Sequence, residues 1–128
     1  LVYAPLLKGA TEAAARVYAG FGQRGWHAAE EARRTTRLFF AGNFALYDHF
    51  YSEGVRQALH KLQGTPGFKV VAKSATYADD YEMSAFCAAP LGEGWGIRLV
   101  WAVSRGCIPV LFESEVRRFW HDELDYAA

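Results

Sequence analysis

Apolar positions along the chain fall in short blocks separated by polar, glycine-rich punctuation, and the blocks predict strands and helices in turn. Residues 2–7 form a brief apolar stretch around Pro5 that reads as a strand edge. From Thr11 to about Arg34 the residues favour helix, with Thr11 as a cap and Gly20, Gly22 and Gly25 dividing it in two. The charges Glu30, Glu31, Arg33 and Arg34 read as a solvated helix face. Residues 37–43 are a compact apolar run closed by Gly42-Asn43, as expected of a buried strand running into a functional loop. Ser52 is placed to cap a helix through Gln63 that carries Val55, Leu59 and Leu62 on one face.

After the turn at 64–67, residues 68–71 read as a second strand and 77–84 as a short helix. Asp79 and Asp80 sit in its early turns, where the helix dipole favours negative charge, so the pair reads as structural. Residues 86–90 are a third strand, followed by the glycine loop 91–96, a helix over 97–105 stopped by Gly106, and a fourth strand over 107–112. Strands alternating with helices at these spacings suit right-handed parallel crossovers. The expected architecture is one α/β layer sandwich without internal repeats.

At 128 residues the chain has the size of one domain with a real core, and 52% hydrophobic residues argue against general disorder. Fourteen basic and fourteen acidic residues cancel, so composition gives no support for a nucleic-acid partner; any anion site must be local. No apolar run approaches the roughly 20 residues that span a bilayer. The first ten residues lack Met and a charged leader, and both ends read as cut from a longer chain. The four histidines, His27, His49, His60 and His121, show no paired ligand spacing, and no metal site is expected. Cys87 and Cys107 fit one disulfide or two buried thiols equally well.

The segment with the clearest chemistry runs from Cys87 to Phe112. Gly92, Gly94 and Gly96 at alternate positions let the backbone approach a ligand. The helix that follows turns its unpaired N–H groups and its dipole toward the loop, and Arg98 in its first turn adds a cation suited to two-point binding of a phosphate. A diphosphate is the natural guest. Counting along this helix assigns Leu99, Ala102, Val103 and Gly106 to the sheet. Arg98, Trp101 and Arg105 make a second stripe that lines a nucleotide groove or faces another domain. The loop matches neither the dinucleotide fingerprint nor the P-loop.

Here the residues resemble a known family. Ser84-Ala85-Phe86-Cys87-Ala88-Ala89-Pro90, the glycine loop, Arg98 and Gly106-Cys107-Ile108-Pro109-Val110 look like the signature of exostosin-like glycosyltransferases. Arg37-Leu38-Phe39-Phe40-Ala41-Gly42, Gly54-Val55-Arg56, Tyr81-Glu82-Met83 and Leu124-Asp125-Tyr126 agree with it, so the resemblance covers about residues 37–126. It implies a two-lobed GT-B enzyme with Rossmann-like parallel sheets that transfers sugar from a nucleotide donor with inversion, without a tightly bound cofactor or metal. Such enzymes are mostly type II membrane proteins of the Golgi that build polysaccharides.

By that resemblance, residues 37–128 are most of the C-terminal, donor-binding lobe, residues 1–36 lead into it, and an N-terminal lobe is missing. The implied partners are a UDP-sugar donor and a glycan acceptor. Arg98 would hold the donor diphosphate with Gly92, Glu93, Gly94, Trp95 and Gly96 around it, and Gly42 and Asn43 would face the cleft. Three residues beyond the arginine the family often has a glutamate suited to ribose hydroxyls; here it is Trp101, so either the ribose is held differently, with Glu93 as the candidate contact, or this copy binds donor weakly. The family picture also implies a Cys87–Cys107 disulfide between neighbouring strands, formed in an oxidising lumen. No general base can be named, since Asp79, Asp80 and Glu113 have no claim to the role, so the chain is expected to bind nucleotide without catalysing transfer alone. The alternatives are a non-catalytic scaffold partner, in which Trp95, Trp101 and Trp120 serve contacts, and an unrelated α/β module for phosphorylated small molecules.

Overall fold

The computed structural model describes residues 32–48, 50–92 and 96–112. The elements expected over 2–7 and 11–31, and everything from 113 onward, lie outside the described residues. Four strands form one sheet: β1 (Thr36–Ala41), β2 (Phe68–Val71), β3 (Ser84–Ala88) and β4 (Ile108–Val110). All pairings are parallel, in the order β2-β1-β3-β4. Three helices connect them: α1 (Val55–His60), α2 (Tyr77–Glu82) and α3 (Ile97–Ser104). The expected α/β, Rossmann-like parallel sheet is present.

Strand order explains the layering. From β1 the chain steps to one side to make β2, then crosses back over β1 to place β3 on its other side. Crossovers of one hand taken in opposite directions put their helices on opposite faces of the sheet. The core shows this split. Successive strand residues point to opposite faces, and Phe39 and Phe40, each about 1% exposed, anchor one cluster apiece. Phe39, Ala41 and Cys87 pack with Tyr81, Ala102 and Cys107 beneath α2 and α3. Phe40, Val70 and Ala88 pack with Phe44 and Leu59 beneath α1. Burying each phenyl ring stabilises the fold by about 1.5–3 kcal/mol. On the first face Phe39, Tyr77 and Tyr81 add edge-to-face contacts at 5.1–5.9 Å between centroids.

Several expectations need correction. The helix after Ser52 runs only over Val55–His60. Ser52, Glu53 and Gly54 form a tight turn in left-handed backbone, with φ of 55°, 54° and 78°. The Ser52 hydroxyl still accepts the N–H of Arg56, at 3.3 Å. Beyond His60 the chain turns, and Leu62 is exposed rather than on a packed face. Ser84 belongs to β3, where it pairs with Thr36, and its hydroxyl donates back to the carbonyl of Asp80 in α2. β4 is three residues long rather than six. Arg34 does not lie on a solvated face: its guanidinium donates to the carbonyls of Tyr81, Ser84 and Arg105. Asp80 is structural, as its place near the helix start suggested. Its carboxylate takes hydrogen bonds from Lys69, Ser74 and Thr76.

Candidate functional site

In open parallel sheets a ligand settles beyond the carboxyl ends of the strands, where the strand order reverses. That point lies between β1 and β3. Gly42 follows β1 directly, and Gly92 lies four residues after the end of β3. Two arginines converge there. The guanidinium carbon of Arg98, in the first turn of α3, stands 5.5 Å from the Phe40 ring centroid, and that of Arg56, in α1, stands 5.8 Å from it.

The arrangement is crossed. Arg98 leaves the helix that follows β3 and reaches the loop after β1, where its Nη2 donates to the Ala41 carbonyl at 3.3 Å. A methyl group on Gly42 would meet that Nη2 at 2.5 Å, so the guanidinium as placed occupies the space a side chain there would fill. Arg56 leaves the helix that follows β1 and reaches the loop after β3. Its Nε donates to the Leu91 carbonyl at 2.9 Å, and its Nη1 donates to the Asn43 carbonyl at 2.8 Å. A methyl on Gly92 would meet Arg56 Nη2 at 2.5 Å and the Tyr51 hydroxyl at 3.1 Å.

The two cations are engaged to different degrees. Arg56 is 2% exposed, and its guanidinium also stacks 4.7 Å from the Tyr51 ring. Arg98 is only half-buried, makes the one long bond to Ala41, and leaves its buried Nε without a hydrogen-bond partner among the described residues. A guanidinium has five N–H donors. Arg98 uses one of these in a hydrogen bond among the described residues, and it lies beside the amino end of α3, whose unpaired N–H groups and dipole favour an anion.

Of the residues expected around the donor, Gly42, Gly92, Gly96 and Arg98 gather at this edge, with Gly96 in left-handed backbone (φ 73°) before the first turn of α3. Glu93, Gly94 and Trp95 lie outside the described residues. Asn43 turns its side chain to its own loop, accepting the Ala45 N–H at 2.9 Å, while its carbonyl receives Arg56. The stripe Arg98–Trp101–Arg105 divides: Arg98 reaches the loop after β1, while Trp101 and Arg105 pack against α2. Trp101 joins the cluster beneath α2, 5.8 Å from the Tyr77 ring and 6.1 Å from Tyr81. The Arg105 guanidinium covers it at 5.0 Å and binds Glu82 at 2.6 Å. Val103, expected on the sheet, is 38% exposed, and Val100 is buried in its stead. Burial, with the neighbouring Tyr77 phenol, pushes the Tyr81 hydroxyl far above its ordinary value, so it stays protonated.

Cys87 and Cys107 form a disulfide, both nearly inaccessible, with Cα atoms 5.9 Å apart. Cys107 lies one residue before β4, and its N–H donates to the Ala102 carbonyl at 2.9 Å, so the bond ties β3 to the exit of α3. Among the described residues no group of three or more His, Cys, Asp or Glu is placed to hold a metal ion, and no helix is long and apolar enough to cross a membrane.

Arg56 is the site residue that sequence reasoning missed. Its run Gly54-Val55-Arg56 was legible only as scaffold, because a lone arginine in a helical segment carries no mark of burial.

No protein-family model matches the chain, and no solved structure matches it. Named proteins do. A probable glucuronosyltransferase of Oryza sativa subsp. japonica is 36% identical over 93 residues, which are 65% of this chain and 21% of that protein. A probable beta-1,4-xylosyltransferase of Arabidopsis thaliana is 33% identical over 97 residues, covering 68% and 23%. A probable glucuronosyltransferase of Physcomitrium patens is 36% identical over 70 residues, covering 52% and 16%. The chain thus spans about a fifth of the length of these relatives. Over about two thirds of its own length it is similar to plant proteins named as glucuronosyl- and xylosyltransferases.

Proposed function

We propose that this chain is the donor-binding part of an inverting, nucleotide-sugar-dependent glycosyltransferase, with a UDP-sugar as donor and a glycan as acceptor. The observation that carries the reading is the half-engaged Arg98 guanidinium at the strand-order reversal, beside the amino end of α3. That is the chemistry a departing diphosphate needs: fixed positive groups that stabilise negative charge as the glycosidic bond to phosphate breaks. Arg98 and the α3 amides hold the phosphates, and Gly42 keeps the approach open. In this reading the base that deprotonates the acceptor hydroxyl comes from the other lobe or the cleft between the lobes, so the chain binds nucleotide and does not transfer sugar alone. The buried disulfide accords with an oxidising compartment, the Golgi lumen, reached as part of a type II membrane protein.

The test is a calorimetric titration of UDP, with GDP and inorganic phosphate as controls. Selective UDP binding that Arg98→Ala weakens by about 1.5–3 kcal/mol, the range for a hydrogen bond to a charged group, supports the reading. A folded wild-type chain that ignores UDP sinks it. One observation favours a second reading in that event. Trp101 stands where a ribose-binding glutamate is expected and is packed against Tyr77 and Tyr81, which suits a scaffold copy that has given up donor binding.

A further inference from the structure

We infer that Arg56 is a positioning residue for the anion site, a brace that locks the loop after β1 to the loop after β3, and that Gly92 is glycine to admit this brace rather than a phosphate. The inference rests on reading the site as a nucleotide-diphosphate site. Its geometry differs from that of Arg98 in each respect that separates a brace from a ligand contact. Arg56 is buried where Arg98 is not. Two of its nitrogens point to carbonyls on two different loops, Asn43 and Leu91, 48 residues apart in sequence. Its plane is held by Phe40 on the core side and by Tyr51. A long side chain can ordinarily swing away from a new methyl group. This one cannot do so without losing two charge-assisted hydrogen bonds and two ring contacts, so the 2.5 Å approach to Gly92 is a fixed constraint. No left-handed backbone is recorded for Gly92, unlike Gly96, so conformation alone does not demand glycine there.

The brace matters for the ligand because Arg98 crosses to the β1 loop while its helix starts from the β3 loop. If the two loops drift apart, Arg98 and the α3 amides no longer address the same phosphate. Small misplacements of binding groups carry large penalties.

The experiment compares wild type, Arg56→Lys, Gly92→Ala and the double variant in the full chain, with folding checked by circular dichroism. One arm titrates UDP. The other follows hydrogen exchange by mass spectrometry in peptides covering residues 42–46 and 89–92, with no ligand present. Lysine keeps the charge but cannot reach two diverging carbonyls in one plane. The brace predicts that each single variant weakens UDP binding about tenfold, and that the double variant is no worse than the weaker single, because both break one unit. It also predicts that both peptides exchange faster together in both variants. Wild-type affinity in Arg56→Lys, additive losses in the double variant, or faster exchange confined to the mutated loop would each overturn it. If wild type binds no UDP, the nucleotide reading fails, and the exchange arm still decides whether Arg56 ties the loops. Should Arg56→Lys not fold, Gly92→Ala carries both arms alone.

Discussion

Two charged regions share the carboxyl edge of the sheet, and they treat charge in opposite ways. From within β2, Lys69 meets Asp80 at 2.6 Å, and Ser74 and Thr76 beyond the strand complete the carboxylate's hydrogen bonds. Burial pushes the Asp80 carboxyl up, but the hydrogen bonds from Lys69 and Ser74, the Lys69 charge and the Thr76 hydroxyl outweigh it and hold it below its ordinary value. Beyond β1 and β3, Arg98 meets a carbonyl and a ring, with no carboxylate against it among the described residues. The first region is an ion pair whose carboxylate is satisfied by its own neighbours. In the second, Arg98 is held in place with no carboxylate against it among the described residues, which suits a site for a polyanion. The difference teaches that a charged cluster is informative about ligands only after its internal partners have been subtracted.

The comparison can be broken or sharpened in four ways. The largest effect is expected from replacing both cysteines with serine. A disulfide closing a loop of about 20 residues contributes about 3 kcal/mol, and this one ties β3 to the end of the helix that carries Arg98. Denaturant unfolding should show that loss, and UDP affinity should fall with it because α3 loses its anchor. Next comes Arg98→Ala, expected to cost UDP about ten- to a hundredfold in affinity while moving the thermal midpoint little. A large drop in midpoint with unchanged binding would assign Arg98 to the scaffold.

Asp80→Asn should do the reverse. It keeps the shape but removes the charge facing Lys69, whose 38% exposed side chain limits the pair's worth to about 1 kcal/mol of stability. Nucleotide binding should be untouched. The smallest effect is in pH. A carboxyl with a lowered folded value adds stability above its unfolded value of about 3.9 and loses that contribution as pH falls through the lowered one. Urea midpoints measured at neutral pH and between about pH 4 and 2 should therefore fall more steeply for wild type than for Asp80→Asn. Equal slopes would show that Asp80 is not held low.

Much of this was legible in the sequence, and the illegible part has a consistent cause. The run Arg37-Leu38-Phe39-Phe40-Ala41-Gly42 and the strand-loop-helix segment around Arg98 are local patterns, apolar runs closed by glycine and a cation in a first helical turn, and local patterns survive reading in one dimension. Arg56 is defined by what crosses over it, carbonyls and rings contributed from residues 40 to 91, and no spacing announces that. Ser52 has the residue type of a helix cap but sits in a left-handed turn that its neighbours Glu53 and Gly54 share. On α3, counting placed Val103 against the sheet. The helix is instead rotated so that Trp101 enters the cluster beneath α2, where a large ring outcompetes valine for buried area.

The position of β1 also bears on how the chain is made. It is the first described strand to emerge and, like β3, it is paired on both sides, with Leu38 opposite Phe68 on one flank and Phe86 on the other. A growing chain therefore holds β1 without its strand neighbours until residues some 30 and then 48 positions further on have been synthesised. Such non-local pairing slows folding and leaves apolar surface open to wrong contacts meanwhile. A chain interrupted before Ser84 could still cover the Phe39 side with Tyr77 and Tyr81, but it would lack Cys87, Ala102 and Cys107, which complete that cluster.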